Sequence, residues 1–141
     1  MIRVVIDTNV LVSALISAEG NEALVLLAIH HGLVMPCFSG EIMEEYSGVM
    51  RRPKFRFSSP EIEAMLELVR RRGTAIEGAP KYGLSPDPGD DKFIACVLAS
   101  GAEFLVTGNK RHFPEEHMGR ARVVSAKEFI EFVVLGLERG T

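Results

Sequence analysis

Asp7, Glu45 and Asp90 are the residues from which this sequence could build a reactive centre. Asp7 directly follows the β-branched run Arg3 to Ile6, a pattern that predicts a buried strand ending in a carboxylate. Asp90 falls in the first turn of a helix expected from Asp87 to about Ser100. At about 100° per residue, Phe93, Ile94, Val97 and Leu98 form an apolar arc centred near Asp90, with Asp91 at its edge and Lys92 pointing the opposite way. A carboxylate on such a packing face is costly unless it is paired, hydrogen-bonded or bound to a cation. Glu45 lies about 100° from the centre of the arc Ile42, Met43, Tyr46, Val49 and Met50, at the boundary from which it can reach a cleft, while Glu44 faces water. Three carboxylates brought together repel and raise one another's pKa. A divalent cation resolves that conflict, and oxygen-only ligands suit Mg²⁺ or Mn²⁺ rather than zinc. Such an ion activates water and stabilises charge on a phosphate.

Each acid also has an ordinary role open to it. Asp87-x-x-Asp90 resembles a capping box, Asp7 fits a turn or the N-cap of a helix near Val10, and Glu45 fits an exposed helical glutamate. A different chemistry would use Asp7 as a nucleophile forming an aspartyl-phosphate. Phosphatases of the haloacid-dehalogenase type place a second acid two residues later, and Asn9 at that position counts against it. His30, His31 and His117 have no ligand spacing and are expected on the surface or in loops. Cys37 and Cys96 stand in apolar contexts and are expected as buried thiols of a reducing compartment, hence a cytoplasmic chain.

The elements that must position the acids alternate. After the strand Arg3 to Ile6, helical turns are expected over Val10 to Ile16, then a helix Glu22 to about His31 capped by Asn21 and ended by Gly32. Leu33 to Phe38 is a second strand, in which Pro36 argues for an edge position or an irregular stretch. Ser39 caps a helix to about Arg51, and Ser59-Pro60-Glu61 opens another that stops at Gly73. Thr74 to Ile76 reads as a short strand within the glycine- and proline-rich loop Thr74 to Pro88. Glu103 to Thr107 and Ala121 to Val124 are the last strands, separated by the loop Gly108 to Arg120, and Ser125-x-x-Glu128 is a capping box for a final helix. This order predicts an α/β fold with a parallel sheet between helices, whose ligands bind beyond the carboxyl ends of the strands. Asp7 and the Thr107-Gly108-Asn109 segment meet at that rim.

With 141 residues, 47% of them hydrophobic and 25% charged, the chain is expected as one globular domain, residues 1–141, without a membrane span. A net charge of −3 excludes a bulk polycation, yet cations cluster at Arg51, Arg52, Lys54 and Arg56, at Arg70 to Arg72, and at Lys110, Arg111 and His112. The last group follows the rim and suits phosphate contact. The first begins about 15 Å or less from the start of the Glu45 helix. Phe55, Phe57 and Phe113 supplement two tyrosines as stacking platforms, and Leu66, Leu68 and Val69 offer either core packing or a homodimer face.

Four segments in order resemble the PIN domain. They are Val4-Val5-Ile6-Asp7-Thr8-Asn9-Val10-Leu11; Ser39 to Lys54 with Glu45 and the tail Arg51-Arg52-Pro53-Lys54-Phe55; Asp87-Pro88-Gly89-Asp90-Asp91-Lys92-Phe93; and Ala102 to Asn109. The resemblance covers nearly the whole chain and is nearest to the toxin components of prokaryotic toxin–antitoxin systems. It implies a three-layer α/β/α fold with a parallel sheet of four to five strands, and a Mg²⁺- or Mn²⁺-dependent endoribonuclease that leaves 5′-phosphate and 3′-hydroxyl ends. Asp7, Glu45 and Asp90 would be the catalytic, metal-binding acids. Many members carry a fourth acid where this chain has Asn109, and Asp91, ahead of Asp87, could supply the missing charge. Thr8, Asn9 and Thr107 would orient the carboxylates, Thr107 serving equally well as a strand end. Arg51, Arg52 and Lys54 would touch RNA or acidic residues of an antitoxin, and Lys110 and Arg111 would touch RNA phosphates. The rival reading is a non-catalytic module that binds RNA or a partner through a weakened site.

Overall fold

A computed structural model describes residues 1–77 and 85–140. Strand β1, Ile2–Ile6, leads into helices α1, Thr8–Ile16, and α2, Asn21–His30. Strand β2, Val34–Phe38, is followed by α3, Gly40–Met50, and α4, Ser59–Arg72, then by the two-residue β3, Thr74–Ala75. Helix α5, Asp91–Ser100, β4, Phe104–Val106, β5, Arg122–Val124, and α6, Ala126–Arg139, complete the chain. The strands form one parallel sheet in the order β3-β2-β1-β4-β5, flanked by helices in a three-layer α/β/α arrangement. The chain leaves β1 to one side and later returns to its other side, so the switch point lies between β1 and β4.

Apart from Arg3 near the start of β1, the interior strands are apolar because both faces are covered. Val4, Val5, Ile6, Leu105 and Val106 are buried, and Phe93, Ile94, Cys96 and Val97 of α5 pack with them. Cys37 and Cys96 are buried free thiols, and burial pushes Cys96 up to about 12. Ile62, Met65, Leu66 and Val69 of α4 belong to the core, so that helix offers no open apolar face; the exposed large apolar residues lie elsewhere, as at Leu27, Leu135 and Leu137. No single helix among the described residues is long and apolar enough to cross a membrane.

Several boundaries differ from the expected ones. Pro36 is not on an edge strand: β2 pairs with β1 on one side and with β3 on the other. The β3 ladder begins only at Cys37, after the proline. Helix α1 starts at Thr8 because Asp7 takes the extended N-cap conformation. Gly20 rather than Asn21 caps α2. Ser58, not Ser59, caps α4, in a reciprocal box with Glu61. Gly73 ends that helix where a Cβ would stand 2.4 Å from the Pro36 carbonyl oxygen, so only glycine lets the chain turn into β3. The segment before α5 is a separate 3-10 turn, Pro88–Asp90, and two more such turns, Lys110–His112 and Glu115–His117, order the loop after β4. Within the expected loop Thr74 to Pro88, residues 78–84 lie outside the described residues.

Candidate metal centre

Asp7 sits at the carboxyl end of β1 and is only 6% exposed. Its backbone N–H donates to Val106 O at 2.9 Å, which fixes it beside the end of β4. There the Thr107 hydroxyl donates to Asp7 Oδ2 at 2.8 Å. Burial pushes the Asp7 carboxyl up to about 6; the Thr107 hydrogen bond opposes that rise, and the negative charges of Asp90 and Glu45 add to it.

Glu45 reaches the same place from α3. Ser39 accepts the Ile42 N–H at 3.2 Å and starts the helix. Tyr46, the next residue after Glu45, is buried, and its hydroxyl donates to Ile6 O at 2.5 Å. That bond ties α3 to the end of β1 and brings Glu45 towards Asp7. The Thr8 hydroxyl donates to Glu45 Oε2, and Lys92 Nζ lies 2.6 Å from Glu45 Oε1.

Asp90 closes the cleft from the 3-10 turn before α5. Asp87 Oδ1 accepts the Gly89 N–H at 2.9 Å, which shapes that turn. Burial raises the Asp90 carboxyl, His112 opposes the rise by hydrogen bonding, and Asp87 and Glu45 add to it. His112 Nδ1 is 2.7 Å from Asp90 Oδ2. Ligand atoms of Asp87, Asp90 and His112 lie within 4.8 Å of one another.

The resulting cleft, about 260 Å³, is lined by Asp7, Thr8, Asn9, Glu45, Val49, Arg52, Asp87, Asp90, Asn109 and His112. An adjoining hollow of about 480 Å³ shares Glu45, Val49 and Arg52 and adds Lys92. The structure thus gathers Asp7, Glu45 and Asp90 with Thr8, Asn9, Thr107 and Asn109. Asp91 is not among the lining residues; its Oδ1 accepts the Ser85 N–H at 2.8 Å, and Asp87 instead borders the cleft. Of the cations, Arg52 lines the cleft, Arg51 pairs with Glu63, Lys54 lies over the Phe55 ring at 5.1 Å, Lys110 pairs with Glu128 at 2.5 Å, and Arg111 is exposed. Phe113 is 1% exposed and is core rather than a stacking surface, whereas Phe55 and Phe57 stack on each other half-buried.

Two contacts escaped the sequence. Continuous helical phase puts Lys92 opposite Asp90, but the helix begins only at Asp91, and the long Lys92 side chain turns to Glu45. Its place in the sequence groups His112 with phosphate-binding cations, but the 3-10 turn aims its ring at Asp90. The three-residue offset from Asn109 signals only the Asn109–His112 contact, since i and i+3 eclipse in that geometry; no local pattern points from His112 to Asp90.

A PIN domain family model matches residues 3–111. The chain belongs to the PIN domain family. It is also 28% identical to an uncharacterized protein of Methanocaldococcus jannaschii, over 92% of this chain and 90% of the relative. PIN domains are generally nucleases and typically use divalent metals. In this PIN domain Asp7, Glu45, Asp87, Asp90 and Asn109 fall inside the matched segment, and His112 lies just beyond it. The donor set fits a hard divalent cation: several carboxylates converge, and Asp7 is held well above its usual range chiefly by burial, with the charges of Asp90 and Glu45 adding to the rise. Its single imidazole also suits Mn²⁺.

Proposed function

We propose that this PIN domain is a Mg²⁺- or Mn²⁺-dependent endoribonuclease, and that it serves as the toxin of a toxin–antitoxin pair. The supporting observation is the shared cleft of Asp7, Glu45 and Asp90, in which a nearly buried carboxylate faces two others. Those three acids would hold the cation, with Asp87 and Asn109 at the border of the site. A divalent ion bound there supplies a Lewis acid that polarises the phosphoryl group and lowers the pKa of bound water.

The chain's own groups do the positioning. Thr107 holds Asp7 and Thr8 holds Glu45. Arg52, in the cleft wall, meets the phosphate next to the scissile bond, and exposed Arg111 extends that contact along the backbone. Both cysteines are buried away from the cleft, so neither thiol serves as a nucleophile. Cleavage leaves 5′-phosphate and 3′-hydroxyl ends. The toxin role rests on the resemblance of the sequence, with an acidic protein antitoxin and a second copy of the chain as further partners and the cytoplasm as the setting.

The test is calorimetric titration of the parent and Asp90→Asn with Mn²⁺, followed by incubation of both with a mixed RNA pool. Binding and cleavage that both vanish in the variant support the reading. Binding without cleavage in the parent favours a non-catalytic RNA- or partner-binding module. A parent that binds no Mn²⁺ reduces the acids to caps and turns.

A further inference from the structure

A hydrogen-bonded chain runs from Asp7 to Asp90 through groups that carry no negative charge. Thr107 Oγ1 donates to Asp7 Oδ2 and accepts the Asn109 backbone N–H at 3.0 Å. The Asn109 side-chain Nδ2 lies 3.1 Å from His112 Nε2, and His112 Nδ1 lies 2.7 Å from Asp90 Oδ2. Asn109 therefore connects to Asp7 through Thr107 with its backbone and to Asp90 through the imidazole with its amide. The 3-10 turn carrying His112 is fixed in place: His112 N–H donates to Asn109 O at 3.2 Å, and the Ser85 hydroxyl donates to His112 O at 2.6 Å.

The donors decide the ring's state. An amide NH₂ only donates, so Asn109 requires a lone pair on Nε2, and the neutral ring then carries its proton on Nδ1, facing the carboxylate. We propose that His112 is a positioning residue: its Nδ1–H holds the Asp90 carboxylate in the orientation from which Asp90 shares a cation with Asp7 and Glu45, while Asn109 locks the ring from behind. This assigns the Asn109 side chain to the imidazole. An aspartate there would present no donor to Nε2. The purpose of the device rests on the metal-centre reading, whereas its geometry does not.

Two measurements test it. The first is the ring ¹⁵N spectrum of His112 in metal-free protein at pH 8, for the parent and for Asp90→Ala. The Nδ1–H tautomer is expected in the parent and, with the Asn109 amide still facing Nε2, in the variant; an Nε2–H tautomer in the parent overturns the proposal, and one in the variant alone overturns the lock from Asn109. The second is Mn²⁺ titration of His112→Ala, His112→Asn and His112→Gln, with melting temperature in EDTA confirming that each folds. An asparagine amide falls near Nδ1 and a glutamine amide near Nε2. Alanine should weaken Mn²⁺ binding by about 10- to 100-fold, asparagine should restore most of it, and glutamine should not. Equal affinity in all variants, or rescue by glutamine instead, overturns the proposal. A parent with the Nδ1–H tautomer that binds no Mn²⁺ upholds the hydrogen-bonded chain and sinks the metal-centre reading.

Discussion

Lys92 Nζ and Glu45 Oε1 meet at 2.6 Å across the rim of the acidic cleft, joining helices α5 and α3. Both side chains are about one-fifth exposed, 21% and 24%, so solvent screens the pair and its contribution to stability is small, about 1 kcal/mol or less. Its larger effect is on the cleft's potential. Lys92 offsets one negative charge beside the place where a cation would sit, and it occupies a Glu45 oxygen. Lys92→Met should therefore tighten Mn²⁺ binding, by on the order of tenfold at low salt, while lowering the melting temperature only slightly. Calorimetry at two salt concentrations checks this. Unchanged or weaker Mn²⁺ binding would show that Glu45 is held for the fold and not for a cation.

Asp7 should make the metal-free protein less stable as pH rises. Its folded value is about 6 against an ordinary value of 3.8, so the folded state holds the extra proton between those limits. The free energy of unfolding then falls as pH rises from about 4 to 6, and above that the full penalty of roughly 3 kcal/mol persists. Asp7→Asn removes the charge and keeps an oxygen to accept from Thr107. In EDTA at pH 7.5 the variant should melt several degrees above the parent, and at pH 4 the two should coincide. The parent alone should then gain stability when Mn²⁺ is added at pH 7.5. A variant less stable than the parent at both pH values would contradict the burial penalty.

The three acids were legible because periodicity reports direction. Asp7 ends a strand buried on both faces, Glu45 stands at the boundary of the apolar arc of its helix, and Asp90 reads in phase with Phe93, Ile94 and Val97, although it stands in the 3-10 turn just before that helix. The parallel order of elements was legible for the same reason, together with the capping signals at Ser39 and Ser125. What stayed hidden depended on contacts between elements or on non-helical turns. Pro36 reads as an edge residue until the two-residue β3 is known to begin one position later. Asp87 and Asp91 are equally acidic in sequence, and only the 3-10 turn Pro88–Asp90 puts Asp87 at the cleft and Asp91 against Ser85.

Arg52 should contribute to RNA affinity without being needed for metal binding. It is exposed, lines both the cleft and the adjoining hollow, and unlike Arg51 it is not paired with Glu63. With the non-cleaving Asp7→Asn background and a short single-stranded RNA, Arg52→Ala should reduce the slope of log affinity against log salt by about 0.7, the loss of one phosphate contact. Arg51→Ala should leave that slope nearly unchanged. Filter binding across a salt series separates the two, and equal slopes for Arg52→Ala and the parent would remove Arg52 from the RNA path.

Tyr46 offers the sharpest link between fold and site. Its buried hydroxyl donates to the carbonyl of Ile6, one residue before Asp7, and its backbone follows Glu45. Tyr46→Phe keeps the ring against Phe93, whose centroid is 6.5 Å away, and removes only the donor. The Ile6 carbonyl then loses that partner in a buried setting, which costs about 1–3 kcal/mol and lowers the melting temperature by several degrees. The same bond registers α3 against β1, so the variant should also bind Mn²⁺ a fewfold more weakly than the parent, in contrast to Lys92→Met. Thermal melts in EDTA read the first effect and calorimetry the second. A lower melting temperature with unaltered Mn²⁺ affinity would mean that Glu45 is placed by Ser39 and Thr8 without help from Tyr46.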